Sequence, residues 1–360
     1  MNYKRRSEGV REALESERLD ALVASSLPNI QYLCGFTGSS GLLIVGPRES
    51  VFCTDGRYTE QARLEVEGAR VRIVKGKSAL ATATAWLAQP SKFRRIGLEA
   101  AHLTLADRDS LASALPRGAR LVRTSAIIER LRMIKDSEEI ARIRSACHLG
   151  ADLFQGLINT IRPGRSESEV AGELELAARR RGAEQMSFPT IIAGGKRSAL
   201  PHARASKEPI PPRGFVVCDF GVILASYCSD MTRTVHVGRP PAEARAAYEA
   251  VREAQQAALA AVKPGVKVGE VDQAARKLLQ KRSLGRYFTH STGHGLGLEV
   301  HEAPRVAAGQ AEILRPDMVI TIEPGVYQSG KGGVRIEDTV VVTDTGCEIL
   351  TPCPKELIVV

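Results

Sequence analysis

Aromatic residues are scarce in this 360-residue chain: eight Phe, seven Tyr and a single Trp, 4% in all. No apolar run reaches the ~18 residues of a transmembrane helix. The stretch from Met1 to Ser26 is charged throughout and lacks the apolar core of a secretory signal. No membrane partner is therefore expected, and the expected location is cytoplasmic. The seven cysteines are odd in number and none stands in a CxxC pair. That argues against structural zinc and a disulfide framework, and for reduced, mostly buried thiols. Fifty Lys+Arg against 41 Asp+Glu leave a net charge of +9. The basic residues are dispersed (Arg5-Arg6, Arg94-Arg95, Arg179-Arg180-Arg181) and not interleaved with aromatics, so the surface reads as solvated and no nucleic-acid partner is expected. What is present, 43% hydrophobic and 25% charged residues, is ordinary globular composition. The length suits two domains.

Residues 1–130 alternate short apolar runs with helical spacing. Leu19–Ser25, Gly41–Val45 and Val51–Thr54 read as strands, and 58–67 and 77–89 as helices, which predicts a small α/β domain. The glycine-rich stretch Gly35–Gly41 reads as a turn; with no GK[ST] after it, it does not qualify as a phosphate loop. Near Arg132–Asp136 the pattern changes. Asp136 with Glu139 suits a capping box, and Ile140, Ile143, Cys147, Ala151, Phe154 and Leu157/Ile158 follow at helical spacing. The expected organisation is a first domain over 1–130, a linker over 131–137 and an α+β second domain over 138–360.

The second domain carries an internal repeat. Ile161-Arg162-Pro163-Gly164, followed by Glu169-Val170, recurs 101 residues later as Val262-Lys263-Pro264-Gly265, followed by Glu270-Val271. A long helix is predicted before each copy (137–160 and 241–262) and another after each (166–181 and 267–282). Phe188–Gly195 then matches Phe288–Gly295, Phe215–Gly221 matches Met318–Gly325, and Ser229–Thr232 matches Ile336–Thr339. Two α+β halves related by a pseudo-two-fold axis, with a cleft at their seam, are expected.

The repeat superposes polar residues: Asp219 on Glu323, Asp230 on Glu337, and His202 close to His301. Four carboxylates facing one another at buried strand ends repel, and cations between them resolve the conflict at neutral pH. His294, in Gly293-His294-Gly295-Leu296-Gly297, has no counterpart in the first half, so two metal sites there would not be equivalent. Each residue alone has an ordinary explanation. A strand-end Asp is usually a turn former, Asp230 and Glu337 suit surface ion pairs, His294 a tight turn, His202 an exposed loop, and His290 a hydrogen-bonded core position. The repeat correlates the set, which weakens the separate explanations. His102, His148 and His236 show no such correlation and read as structural; Cys218 and Cys228 read as packing residues. Asp219, Asp230, His294, Glu323 and Glu337 make an oxygen-rich donor set with one imidazole, suited to Mn²⁺, Co²⁺, Fe²⁺ or Zn²⁺. A pair of such ions supports hydrolysis.

These stretches, with Thr321-Ile322-Glu323-Pro324-Gly325 and Arg335-Ile336-Glu337-Asp338, resemble the "pita-bread" metallopeptidases, the family of methionine aminopeptidase, aminopeptidase P, prolidase and creatinase. Ser198-Ala199-Leu200-Pro201-His202 is similar to the Xaa-Pro-cleaving branch, and Asn29–Gly41 and Thr54–Ala62 to the creatinase-type N-terminal domain. The resemblance implies a creatinase-like domain over 1–130 and a pita-bread catalytic domain over 138–360. It implies that Asp219 chelates one metal, that His294 and Glu323 bind the other, and that Asp230 and Glu337 bridge both. Glu323 would also steer an attacking hydroxide as general base. His202 and His301 would stabilise the gem-diolate or protonate the proline nitrogen, His290 would line the proline subsite, and Arg335 would hold a bridging carboxylate or His301. The implied cofactors are two divalent ions, Mn²⁺ first, with Co²⁺, Zn²⁺ or Fe²⁺ as alternatives. The implied partners are proline-containing peptides and a second copy of the chain in a homodimer. The expected reaction is hydrolysis of the Xaa-Pro bond at peptide N-termini. Gly35–Gly41 and Asp55–Tyr58 tilt that expectation toward an Xaa-Pro aminopeptidase, with Xaa-Pro dipeptidase as the alternative. A non-catalytic binding module on this fold would have lost ligands, and none is missing here.

Overall fold

Short strands of four or five residues build the first sheet, the three most apolar of them side by side at its centre. A computed structural model describes residues 1–89 and 93–360, in two compact units, Met1–Arg132 and Met133–Val360. In the first unit six strands pair in the order Arg70–Ile73, Ser50–Thr54, Leu42–Val45, Ala21–Ala24, Arg95–Glu99 and Arg120–Thr124. The central Ala21–Ala24 strand runs antiparallel to Leu42–Val45 and parallel to Arg95–Glu99. Val23, Ile44, Phe52 and Ile96 are buried in this sheet, and Trp86 packs on it from the helix Ala79–Leu87. The expected helix over 58–67 is a 3₁₀ turn, Gly56–Tyr58, leading into Thr59–Glu65. Asn29–Leu33 lies within the helix Leu27–Cys34, which Gly35 ends in the left-handed conformation at φ 81°. The buried Glu99 carboxylate accepts the N–H groups of Ser25 and Ser26 at 2.6 and 2.8 Å, just ahead of that helix.

The second unit shows the repeat as topology. Its helices are Ser137–Ile158 and Glu167–Arg180 in one half, and Ala242–Ala261 and Val268–Lys281 in the other. Asp136 and Glu139 form the expected reciprocal capping box. The first half has a three-stranded antiparallel sheet in the order Met231–Val237, Gly214–Phe220, Ile191–Gly194. The second half has five strands in the order Glu302–Val306, Gly293–Gly295, Val319–Ile322, Asp338–Val342, Cys347–Ile349, again antiparallel. Ile191–Gly194 thus corresponds to Gly293–Gly295, Gly214–Phe220 to Val319–Ile322, and Met231–Val237 to Asp338–Val342. The offset grows along the repeat because the second half lengthens its connections. Two hydrophobic clusters fill the halves, one centred on Phe154, Ile192 and Val216, the other on Val251, Ile320 and Val340.

The segment expected as a linker is ordered. Arg132 closes the helix Ile127–Arg132, Met133 is buried, Ile134 forms a bridge with Met318, and the Lys135 N–H donates to the Asp317 carbonyl at 3.0 Å. A free connector would leave these backbone groups to water. Six of the seven cysteines are buried and all are free thiols. Among the described residues no helix is long and apolar enough to cross a membrane.

Candidate metal centre

The two halves are tied together where their carboxylates lie. Asp230 immediately precedes Met231–Val237, and Glu337 immediately precedes Asp338–Val342. Two residues further on each strand stands a threonine. Thr232 donates its hydroxyl to Glu337 Oε2 at 2.7 Å, and Thr339 donates its hydroxyl to the Asp230 carbonyl at 2.9 Å. The Glu337 N–H donates to the Thr232 carbonyl at 3.1 Å. Arg233 spans the same seam, donating to Asp338 Oδ1 at 2.7 Å and to the Glu337 carbonyl.

This cross-tie brings five of the sequence-predicted residues to one cavity of about 660 Å³, which they line together with His202, His290, His301 and Arg335. Donor atoms of Asp230, His294 and Glu337 all lie within 4.8 Å of one another. His294 Nε2 stands 3.6 Å from Asp230 Oδ2 and 3.4 Å from Glu323 Oε1. Its Nδ1 faces the Gly295 carbonyl at 2.9 Å, an acceptor only, so Nδ1 carries the proton and Nε2 turns a lone pair toward the carboxylates. Asp219 Oδ1, Asp230 Oδ1 and Glu337 Oε1 are buried without any hydrogen-bond partner. Buried carboxylate oxygens are rarely left so, and a lone pair facing anions is repulsive. Divalent cations among these atoms remove both anomalies, so the donor set fits a metal centre.

The electrostatics agree. Burial raises the Glu323 carboxyl to about 8. Burial, then the charges of Glu337, Asp219 and Glu323, hold Asp230 well above the carboxylate range. Glu337 is raised in the same way, by burial and then by Glu323 and Asp219. Burial lowers His294 and His290 to about 4 and also lowers His301. These groups have opposite linkage to stability. Between about pH 4 and 6.5 the histidines bind more protons unfolded than folded, and the carboxyls fewer. Above 6.5 only the raised carboxyls remain, and there the folded state holds the extra protons. Metal-stripped protein is therefore expected to lose stability as pH rises from about 6.5 to 8, and excess divalent ion to abolish that slope. Thermal melts of chelator-treated protein at pH 6.5, 7.25 and 8 check this; a Tm that rises with pH would contradict it.

Arg335 differs from expectation. Its guanidinium pairs with Asp219, not with a bridging carboxylate or His301. It also donates to the Tyr327 hydroxyl at 2.6 Å, the Thr232 hydroxyl at 3.0 Å and the Pro201 carbonyl at 3.3 Å. The strand Gly332–Arg335 ends over the first half's sheet, so the side chain reaches that half's carboxylate. His290 lines the cavity with both ring nitrogens engaged. Nδ1 donates to the Ser291 carbonyl at 2.8 Å, so Nε2 accepts the Tyr327 hydroxyl at 2.9 Å. His301 packs edge-on against His294, ring centroids 4.4 Å apart. His202 lies exposed at the cavity.

Sequence reasoning missed Tyr327, Glu302, Arg204 and Arg305. Tyr327 follows the Glu323-Pro324-Gly325 stretch, and its rarity as an aromatic in this chain was the available signal. Arg204 and Arg305 are exposed at the cavity, and their guanidinium groups make no ion pair or hydrogen bond among the described residues. Nothing in their sequence context separates them from the many surface arginines. Cys218 and Cys228 are buried and donate only to backbone carbonyls, as packing residues do.

The chain is similar to known proteins along nearly its whole length. The profile of metallopeptidase family M24 matches residues 141–344, and that of the creatinase/prolidase N-terminal domain matches residues 6–134. The Xaa-Pro dipeptidase of Pyrococcus horikoshii is 36% identical over 363 residues, covering 96% of this chain and 97% of its own. The structure of an Xaa-Pro dipeptidase from Bacillus anthracis superposes with a TM-score of 0.96 at 37% identity, covering all of both chains. That of an X-Pro aminopeptidase from Thermotoga maritima gives 0.88 at 37% identity, covering 96% of this chain and 100% of its own.

Proposed function

The chain belongs to metallopeptidase family M24, with a creatinase/prolidase N-terminal domain ahead of the peptidase domain, and from that premise we propose that it hydrolyses the Xaa-Pro bond of short peptides as an Xaa-Pro dipeptidase. The observation that carries the proposal is the group of partnerless buried carboxylate oxygens beside the His294 Nε2 lone pair. Asp219, Asp230, His294, Glu323 and Glu337 would hold two divalent ions, with Mn²⁺ suited to so oxygen-rich a set. Such ions supply Lewis acidity toward the scissile carbonyl and acidify a water toward neutrality.

The chain's own residues do the rest. Glu323, whose carboxyl retains a proton near neutral pH in the absence of a cation, takes the proton of the attacking water and hands it on. His202 and His301 stand at the cavity to donate to the developing oxyanion and to protonate the leaving nitrogen. That nitrogen must gain a proton to leave as an amine rather than as an amide anion. The His290 ring, buttressed by Tyr327 and by Phe288 at a centroid distance of 5.1 Å, offers a wall for the proline ring.

Arg204 and Arg305 favour a dipeptide. Their unpartnered guanidinium groups suit a carboxylate, and only in a dipeptide does the proline itself bear one. Arg305→Ala is expected to raise KM for a dipeptide such as Gly-Pro about tenfold or more and to leave an amidated Gly-Pro unaffected. The roomy cavity and the Thermotoga similarity favour a second reading, Xaa-Pro aminopeptidase. Rates on Gly-Pro and on Gly-Pro-Pro with Mn²⁺ decide between them, since preference for the tripeptide would reverse the choice. Sedimentation at twice the chain mass checks the homodimer that belongs to this reading.

A further inference from the structure

Lys135 is a charge the metal chemistry does not use, and its side chain is 1% exposed. A buried ammonium is costly unless paired. It pairs with Glu302, Nζ standing 3.2 Å from Oε2, and that side chain is only 6% exposed. The backbone fixes the donor, since the Lys135 N–H is bonded to Asp317 and the neighbouring Ile134 is bridged to Met318. Glu302 in turn organises a loop. Its Oε1 accepts the Glu299 N–H at 3.1 Å, while the Gly297 N–H donates to the Glu299 carbonyl at 3.1 Å. Gly297 lies so close to the carboxylate that a Cβ there would come within 2.7 Å of Glu302 Oε1. The loop from 297 to 302 is thus wrapped around one carboxylate, and the residue before that carboxylate is His301, whose ring lies against His294.

We propose that Lys135 is a positioning residue: through the Glu302 carboxylate it fixes the loop 297–302, and with it the place of the His301 imidazole at the cavity. The role assigned to His301 rests on the peptidase reading above; the placement of the ring does not. Displacement of a reacting group by about an ångström lowers turnover by up to about 100-fold.

The test is a double-mutant cycle on metal-loaded protein with Gly-Pro as substrate: Lys135→Met, His301→Ala and the pair. Lys135→Met is expected to lower kcat about 10- to 100-fold with metal content per chain unchanged, and to add nothing further to His301→Ala. Lys135→Arg, which keeps the charge, should recover most of the loss. Losses that multiply in the double variant would show a general structural effect and overturn the proposal, as would an undiminished kcat. If Lys135→Met fails to fold, Glu302→Gln enters the same cycle, keeping an acceptor for Glu299 while removing the charge pair. A second readout is independent of turnover. In ¹⁵N-histidine spectra of metal-free protein, the His301 ring signals should shift in these variants while those of the surface His148 stay. Unmoved His301 signals would overturn the positioning role whatever the substrate. Failure of the unaltered protein to cleave any Xaa-Pro peptide would defeat the substrate reading instead, and the spectra would still decide this one.

Discussion

Asp230→Asn is expected to abolish hydrolysis, lowering kcat/KM by at least about 10³-fold, some 4 kcal/mol of transition-state stabilisation, and yet to make the metal-stripped protein more stable. Both effects have one cause. Asp230 is 4% exposed, its Oδ1 has no partner, and Glu337, Asp219 and Glu323 all oppose its ionisation. In the proposed centre a cation would neutralise it. An amide of the same shape cannot supply the anionic ligand, so metal affinity and turnover fall together. Without metal the amide carries no charge to repel its neighbours, and a gain of about 1–2 kcal/mol follows, typical of relieving a strained functional site. That corresponds to several degrees in Tm at pH 8, about 2–4 °C per kcal/mol for a unit of this size. Metal analysis, a Gly-Pro assay and melts of chelator-treated protein check all three. Turnover at the unaltered rate, or a lower Tm without metal, would sink the account of the centre.

The second large effect is at Arg335. Arg335→Met is expected to destabilise the metal-stripped protein by about 3–5 kcal/mol, because it leaves the Asp219 carboxylate buried without its counter-charge. The side chain is 4% exposed and Asp219 11%. The Tyr327 and Thr232 hydroxyls and the Pro201 carbonyl lose a donor as well. Arg335→Lys should rescue little, since an ammonium cannot span four acceptors that a planar fork reaches. Chemical denaturation of both variants measures this, and a loss below about 1 kcal/mol, the range of a surface ion pair, would refute the burial argument.

Much of the fold was legible because its signals are local. Asp136 with Glu139 marks a helix start wherever it is folded, and three of the six strands of the first sheet announce themselves as short apolar runs between turns, whereas the arginine-bearing Arg70–Ile73, Arg95–Glu99 and Arg120–Thr124 do not. Packing adds what local reading does not carry. The change of pattern near Arg132–Asp136 marks a boundary, and only the structure shows Ile134 and Lys135 taken up by the backbone at Met318 and Asp317. The four carboxylates proposed as ligands stood out for a different reason. The repeat compares the chain with itself, so Asp230 and Glu337 were picked out by equivalence, without knowledge of which atoms meet.

The sequence by itself determined the two-part α/β and α+β organisation, the duplicated strand pattern and the residue types that converge on the cavity, because spacing along a chain dictates which side chains share a strand end or a helix face. Only the tertiary structure decided that Arg335 meets Asp219, that the Tyr327 hydroxyl meets His290, that Thr232 and Thr339 cross-tie the halves, and that Lys135 reaches Glu302. Many of these partners lie about a hundred or more residues apart. Their meeting depends on how two sheets cross and how closely they approach, distances that no periodicity in the chain encodes.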